Sequence, residues 1–223
     1  MNNNIDENKK ENNLIITALN NLFAENPIFV SEADFQFHLA WKIKETDPNV
    51  DVKLEYIPHK ISSNMHVDIV VFTKDEVIPI ELKYKTKKFE SKSNNIFLKD
   101  HSAQDGGRYD FLSDIQRMEC IVSSDKYPEV KIAYAIFLTN DDKYWKSPKF
   151  PNTNDSQFRI HEGNILHGSL EWASKTGLGT KKERENPIQL KNYYEINWSS
   201  YTWYAANKID ECDFKYTLVE IKP

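Results

Sequence analysis

Three charged residues in the segment from His66 to Lys85 have the types and spacing that hydrolytic chemistry requires. They are Asp68, Glu81 and Lys83. Side chains alternate between the two faces of a β-strand, so Glu81 and Lys83 are predicted on the same side. Asp68 lies in the preceding β-branched run, and the segment Thr-Lys-Asp-Glu between the runs has the composition of a turn. The two runs therefore predict a hairpin that brings all three residues together.

Two carboxylates in such a position predict a bound divalent cation. Held a few ångströms apart in an apolar sheet, they repel each other and receive little solvation, and a metal ion removes this conflict. Oxygen ligands select Mg²⁺ or Mn²⁺ over softer metals. Such an ion activates water and screens a phosphate, so the pattern indicates metal-assisted phosphodiester hydrolysis.

The same residues resemble the PD-(D/E)xK motif of the restriction-endonuclease-like nucleases. Asp68 is followed by twelve residues and then by Glu81-Leu82-Lys83, while Met65-His66-Val67 stands where the motif's name has proline. The resemblance covers roughly residues 28 to 140. It implies that Asp68, Glu81 and the backbone carbonyl of Leu82 bind the metal. It also implies that Lys83 positions the attacking water or stabilises the developing charge.

A helix before the hairpin contributes two more candidates. Ser31 with Asp34 three residues later predicts a helix start, and the helical pattern runs to about Glu45. Glu32 and Gln36 are four residues apart and share a face of this helix. In the nuclease family an acid here reaches the metal site, which makes Glu32 a catalytic candidate and Gln36 a nucleic-acid contact. The alternative is that Glu32 complements the helix dipole.

The segment after the hairpin is basic in an otherwise acidic chain. From Lys83 to Lys99 there are six lysines and one acid, Glu90, whereas the whole chain has a formal net charge of −5. Lysines beside a phosphodiesterase site attract the phosphate backbone of DNA or RNA, and we predict such contacts for Lys85, Lys87 and Lys88. The alternative is an exposed loop that lysine keeps soluble.

A second helix is predicted from Tyr109 to about Val122. Its expected core face is Phe111, Ile115, Met118 and Val122, and the residues expected mostly elsewhere are Asp110, Asp114, Arg117 and Glu119. Gly106-Gly107 precedes it and is interpreted as a bend. By the family resemblance, a polar residue near this helix faces the site, and the candidates are Asp110 and Gln104, of which Gln104 is predicted to contact nucleic acid.

The order of the predicted elements indicates an α/β fold. Helices, a strand over 50–58, the hairpin, the second helix and a buried strand over 131–140 give an α/β/α sandwich with a central mixed sheet. The resemblance makes this sandwich restriction-endonuclease-like, with a C-terminal elaboration. Pro79 in the second hairpin strand predicts an edge or a bulge.

Four regions follow along the chain. They are a disordered tail over 1–12, a nuclease-like core over 13–140, an insertion or loop-rich extension over 141–190, and a C-terminal aromatic segment and strand over 191–223 that pack on the core. The aromatic segment contains Trp198, Tyr201, Trp203 and Tyr204. These side chains are suited either to stacking on unpaired bases or to filling the core.

Composition narrows the class of protein. The chain has 223 residues, 39% of them hydrophobic, which suits one folded domain with a sizeable core. Its acidic charge argues against a protein that coats nucleic acid non-specifically. Cys120 and Cys212 lie far apart, and no apolar leader or membrane-length run is present, so we expect no disulfide framework, no membrane partner and a cytoplasmic location.

The sequence thus predicts a Mg²⁺- or Mn²⁺-dependent endonuclease acting on DNA, with restriction or phage defence as its role and a homodimer left open. One alternative is a catalytically inactive nuclease-like fold that binds nucleic acid or protein. Another is a simple pairing of Glu81 and Lys83 on an exposed sheet face. A pure binder has no need to bury three charges on adjoining strands, which favours hydrolysis.

Overall fold

Six strands form a central mixed sheet in the computed structural model, which describes residues 13–25, 28–91, 95–200 and 213–223. The described helices are α1 (Leu14–Glu25), α2 (Glu32–Thr46) and α3 (Gln104–Val122). The described strands are β1 (Asp51–Tyr56), β2 (Val67–Phe72), β3 (Val77–Lys85), β4 (Phe89–Ser91), β5 (Ile96–Leu98), β6 (Ala133–Thr139), β7 (Ile165–Leu170), β8 (Ile188–Glu195), β9 (Trp198–Ser200) and β10 (Lys215–Ile221). The sheet order is β1-β2-β3-β6-β10-β9. β3 and β6 are parallel, and the other neighbours are antiparallel.

Two hydrophobic cores lie on opposite faces of this sheet. The core on one face contains buried residues of α1 and α2, such as Leu39, together with Leu82 of β3. The core on the other face contains α3 and the β7-β8 hairpin, and there the rings of Phe111 and Phe137 meet edge to face at 5.2 Å. The chain is therefore an α/β protein whose mixed sheet carries helices on both faces, as the sequence predicts at this level.

The start of α2 agrees with the sequence. Ser31 Oγ accepts a hydrogen bond from Asp34 N at 3.1 Å, and Asp34 Oδ2 accepts one from Val30 N at 2.9 Å. The first bond satisfies an N–H group that the helix terminus leaves without a partner, and the second ties the preceding residue to the first turn. The predicted cap is confirmed, and it fixes Glu32 and Gln36 in the first turns of the helix.

The start of α3 differs from the sequence prediction. The helix begins at Gln104 instead of Tyr109, so Gly106 and Gly107 lie inside it and the predicted bend is wrong. A Cβ at position 107 would collide with the hydroxyl of Tyr144. Gly107 thus permits close packing between α3 and the segment that follows β6, a requirement that local sequence does not reveal.

The β7-β8 hairpin, which begins in the predicted extension over 141–190, packs against α3. β7 and the first part of β8 lie in this range, and the predicted boundary at 190 falls inside β8. Glu119 of α3 is buried, and its carboxylate accepts hydrogen bonds from Lys191 N at 3.0 Å and from the Tyr194 hydroxyl at 2.8 Å. This side chain therefore ties β8 to α3.

Two predictions about strands are resolved by the sheet. Pro79 pairs with Val70 of β2, but the pairing of β3 with β6 begins only at Ile80. Among the described residues, Pro79 thus has no ladder partner on the β6 side of β3, which is the edge-like environment that proline tolerates. The predicted last strand is present as β10.

The C-terminal aromatic residues are described only in part. Trp198 is buried in the core on the α3 face, and its Nε1 donates a hydrogen bond to Ile160 O at 2.7 Å, so this residue fills the core. Tyr201, Trp203, Tyr204, Cys212 and the predicted tail over 1–12 lie outside the described residues. Within the described ranges, no helix combines the length and apolar character needed to cross a membrane.

Candidate functional site

The β2-β3 hairpin places Asp68 and Glu81 side by side. Ile69 of β2 pairs with Ile80 of β3, so the next positions in the register are Asp68 and Glu81. A mutual side-chain hydrogen bond contributes to the pKa of each acid. The two carboxyl groups are therefore neighbours, and each influences the pKa of the other.

Acidic side chains bind the N–H groups of β3 near and beyond the point where its pairing with β2 stops. β2 begins at Val67, so the last residues of β3 extend past it. Asp68 Oδ2 accepts a hydrogen bond from Leu82 N at 2.6 Å, and Glu32 Oε2 accepts one from Tyr84 N at 2.6 Å. The N–H and C=O of one strand residue face the same edge, so the Leu82 carbonyl lies on the Asp68 side.

Gln36 holds α2 against the same edge. Its Nε2 donates hydrogen bonds to Asp68 O at 2.7 Å and to Glu55 Oε1 at 2.8 Å. Glu55 lies in β1 with a φ of 51°, a left-handed conformation that redirects the end of that strand. Gln36 thus contacts protein groups close to the paired carboxylates, and its bond to the Asp68 carbonyl helps to fix the position of Asp68.

A chain of ion pairs links β3 to α3. Lys83 Nζ lies 3.0 Å from Asp114 Oδ2, and Asp114 Oδ1 lies 3.1 Å from an Arg117 guanidinium nitrogen. The other terminal nitrogen of Arg117 lies 2.5 Å from Glu81 Oε1 and also donates to His66 O. The Arg117 side chain is 33% exposed, whereas those of Asp114 and Glu81 are 6% and 4% exposed. Arg117 therefore stands between the buried acids and solvent.

The roles of Asp114 and Arg117 differ from those that the sequence predicts. The sequence pattern places both mostly off the core face of the helix, yet Asp114 is buried against β3. The available signal was spacing, since Asp114 follows Phe111 by three residues and precedes Met118 by four. Residues at these spacings share one face of a helix.

Gln104 and Asp110, the polar residues that the sequence favours near the site, have other partners. Asp110 forms a two-point contact with Arg184, with distances of 2.6 and 2.9 Å. Gln104 Nε2 donates a hydrogen bond to Asp141 Oδ2 at 2.8 Å. Neither contact involves Asp68, Glu81 or Lys83, so the prediction that Gln104 or Asp110 faces the paired carboxylates finds no support in these contacts.

The electrostatic environment of the paired carboxylates favours their protonated forms. Burial, followed by the charges of Asp114 and Asp68, raises the pKa of Glu81 well above its usual range, and these effects outweigh the charge of Arg117, which lowers it. Burial and the charge of Glu32 raise the pKa of Asp68, and the hydrogen bond from Leu82 N opposes this rise. The site therefore gains from any cation that replaces a proton between the two acids.

Lys83 has the opposite balance. Burial alone lowers the pKa of its ammonium group, but the charges of Asp114 and Glu32 outweigh burial and raise the pKa above its ordinary value. The Lys83 side chain is 16% exposed, so it is mostly buried but still reaches solvent. Lys83 is thus a fixed positive charge, suited to holding an anion or a water molecule.

The donor set of the site suits a hard divalent cation. Carboxylate oxygens of Asp68 and Glu81 and the carbonyl oxygen of Leu82 are the ligand types that Mg²⁺ and Mn²⁺ prefer. Across the residues that the structure describes, no group of three or more His, Cys, Asp or Glu side chains is arranged to hold a metal ion. A metal site here therefore depends on two carboxylates and a backbone carbonyl, with Glu32 engaged by Tyr84 N.

The predicted lysine contacts follow the site along the chain. Lys85 is the next residue on the face of β3 that carries Glu81 and Lys83. Lys87 and Lys88 are exposed and line a cleft of about 250 Å³ after β3. The side chain of Asn140 fixes this turn, because it accepts a hydrogen bond from Lys87 N at 2.7 Å and donates one to Lys87 O at 3.1 Å.

Comparison with known proteins identifies no relative of this chain. The chain matches no family model, no curated protein and no solved structure. The geometry of Asp68, Glu81, Lys83 and their partners is therefore the basis for any functional conclusion.

Proposed function

We propose that this chain is a metal-dependent nuclease that hydrolyses phosphodiester bonds of DNA. The observation that carries the proposal is the register of β2 and β3, which brings Asp68 beside Glu81, with Asp68 Oδ2 bound to the backbone N–H of Leu82, the neighbour of Lys83. Mg²⁺ or Mn²⁺ is the proposed cofactor. When bound, such an ion polarises a phosphoryl oxygen and activates water.

Each residue has a distinct part in the proposed reaction. Asp68 and Glu81 supply carboxylate oxygens and Leu82 supplies its carbonyl, all on or beside the edge that β3 extends past β2. Lys83 orients the attacking water and stabilises negative charge on the phosphate in the transition state. Its ion pair with Asp114 keeps the ammonium group in one position, which reduces the reorganisation that catalysis requires.

Glu32 and Gln36 position these groups. Glu32 accepts a hydrogen bond from Tyr84 N, and Gln36 donates one to Asp68 O, so both residues of α2 bind backbone groups next to the carboxylates. We propose that Glu32 acts through the backbone of β3 and through its negative charge, which raises the pKa of Lys83.

The proposed activity is accompanied by a proposed fold family. An antiparallel hairpin, β2-β3, leads through α3 into β6, which is parallel to β3. This arrangement carries the Asp, the Glu and the Lys in the order that the PD-(D/E)xK resemblance requires. We therefore propose that the α/β/α sandwich is restriction-endonuclease-like.

A cleavage assay tests the proposal. Double-stranded DNA, single-stranded DNA and RNA would be incubated with the protein and either Mg²⁺ or Mn²⁺. We expect cleavage of DNA by the wild type and a loss of about 100-fold or more for Lys83→Ala and for Asp68→Asn. Lys53→Ala and Asp51→Asn are matched controls, because both residues are exposed on β1, and these variants should retain activity.

A catalytically inactive nuclease-like fold that binds nucleic acid or protein is the second candidate. It is favoured by the ion pairs that already occupy Lys83 and Glu81, formed with Asp114 and Arg117 respectively. Binding of DNA without cleavage of any substrate, with either metal, would support this second function and contradict hydrolysis.

A further inference from the structure

A second polar cleft, of about 660 Å³, lies between the start of α3 and the segment 142–159. We call it the Arg108 cleft. Its cationic lining residues are Arg108, Lys143, Lys146, Lys149 and Arg159, and its acidic lining residues are Asp105, Asp142 and Asp155. Cations thus outnumber acids in the cleft, although the whole chain carries a formal net charge of −5.

The buried guanidinium group of Arg108 and the partly exposed one of Arg159 share one carboxylate in this cleft. An Arg108 terminal nitrogen lies 2.5 Å from Asp155 Oδ2, and an Arg159 terminal nitrogen lies 3.1 Å from Asp155 Oδ1. Arg108 is only 3% exposed. Its other terminal nitrogen donates a hydrogen bond at 2.7 Å to the backbone carbonyl oxygen of Lys143, which carries no charge. One positive charge is therefore left in excess where solvent screens it poorly.

Further observations support an excess of positive charge here. The buried Nε atoms of Arg108 and Arg159 have no hydrogen-bond partner among the described residues. Burial and the neighbouring charge of Arg159 lower the pKa of Arg108. Buried polar groups without a partner are uncommon, so these atoms and this charge call for an anionic group.

The remaining charges of the cleft do not cancel the excess. Lys146 is paired with Asp142 at 2.7 Å, and Asp105 accepts a hydrogen bond from Gly106 N at 2.8 Å. Lys143 and Lys149 are exposed and form no ion pair with any described residue. The first turn of α3 also faces this region, and its N-cap residue, Ala103, provides no side-chain hydrogen bond, so the N–H groups that Asp105 does not bind add positive potential.

We infer that the Arg108 cleft binds a phosphate group. On the proposed function, on which this identification rests, the group is a backbone phosphate of the DNA strand held at the carboxylate pair. Arg108 precedes Asp114 by six residues on α3, which corresponds to about 9 Å along the helix axis. The Arg108 cleft shares Asp142 and Lys146 with the cleft that Lys87 lines, so a DNA strand that passes Lys83 and Lys87 reaches the Arg108 cleft with a neighbouring phosphate.

Thermal unfolding in the presence of inorganic phosphate tests the anion site directly. A ligand that binds only the folded state raises its melting temperature. Sodium phosphate, compared with sodium chloride at equal ionic strength, should raise the melting temperature of the wild type by several degrees. Arg159→Gln should abolish this difference, because Arg108 and Asp155 then form a balanced pair and the protein still folds. Equal responses of wild type and Arg159→Gln would overturn the proposal.

DNA binding tests the identity of the phosphate. Binding of a fluorescein-labelled oligonucleotide would be followed by fluorescence anisotropy in EDTA, which prevents hydrolysis. Lys143→Ala/Lys149→Ala should weaken binding about tenfold and reduce the slope of log affinity against log salt concentration by about 2. The control is Lys74→Ala/Lys131→Ala, which removes the same charge from exposed positions before β3 and before β6, at the opposite end of the sheet.

The outcomes separate this inference from the proposed function. Equal DNA affinity of the two double variants would show that the cleft does not hold the strand and would overturn the inference. A wild type that binds phosphate and DNA through the cleft, but cleaves nothing with Mg²⁺ or Mn²⁺, would overturn the proposed hydrolysis and leave the phosphate site established.

Discussion

Asp68 Oδ2 accepts a hydrogen bond from Leu82 N at 2.6 Å, so the proposed metal ligand is also a backbone partner of β3. The same carboxyl group interacts with Glu81. One side chain therefore stabilises the hairpin and shapes the site. Substitutions that differ in shape and charge can separate these two contributions.

We expect Asp68→Asn and Asp68→Ala to differ in stability but not in activity. Asparagine keeps an oxygen that can accept the hydrogen bond from Leu82 N. The free energy of unfolding of Asp68→Asn should therefore stay close to that of the wild type. Alanine leaves this N–H without a partner and should reduce the free energy of unfolding by about 1–3 kcal/mol. Urea denaturation measures both values, and cleavage should be lost in both variants. Equal stability of the two variants would mean that the Leu82 contact contributes nothing.

We expect Glu81→Gln to alter how stability depends on pH. The pKa of Glu81 is raised in the folded state, so the folded protein retains a proton that the unfolded chain loses above about pH 4.3. The free energy of unfolding of the wild type should therefore fall, relative to the variant, as pH rises from 5 to 8. Urea denaturation across this range measures the difference. Glu195→Gln, on an exposed position of β8, is the matched control, and a wild type that parallels Glu81→Gln at every pH would contradict the prediction.

The ion pair between Lys83 and Asp114 should show strong coupling. Lys83→Met leaves Asp114 buried with Arg117 as its remaining ion-pair partner, and we expect a loss of about 3 kcal/mol in the free energy of unfolding. Lys83→Met/Asp114→Leu should recover most of this loss, because both buried charges are then replaced by apolar groups. A double-mutant cycle by urea denaturation gives the coupling energy. If the double variant does not recover stability, the loss of the Lys83–Asp114 ion pair is not the cause of the destabilisation. Neither variant should cleave DNA.

Metal affinity should increase with pH. Burial raises the pKa of both Asp68 and Glu81, so a divalent cation must displace a proton from the pair. With one proton displaced, affinity should rise by up to about tenfold for each pH unit. Calorimetric titration with Mn²⁺ in buffers of different ionisation enthalpy counts the protons released. Affinity that is constant between pH 6 and 8 would place the metal elsewhere, and Asp68→Asn should remove the binding.

The sequence by itself determined the local elements and the first group of site residues. Alternating β-branched residues on either side of a turn specify the hairpin, and the period of two then fixes Glu81 and Lys83 on one face. Ser31 and Asp34 specify the start of α2 because their hydrogen bonds are made within one helical turn. These features depend on neighbours in the chain, and a linear sequence contains that information.

Only the tertiary structure decided which distant groups complete the site. Asp114 and Arg117 reach Lys83 and Glu81 because α3 crosses back over β3 before β6, and helical periodicity does not specify the strand on which a helix packs. The excess charge around Asp155 likewise arises when α3 and a later segment meet. Charges far apart in sequence become a buried network only when packing removes the water between them, and the energy of that step depends on three-dimensional neighbours.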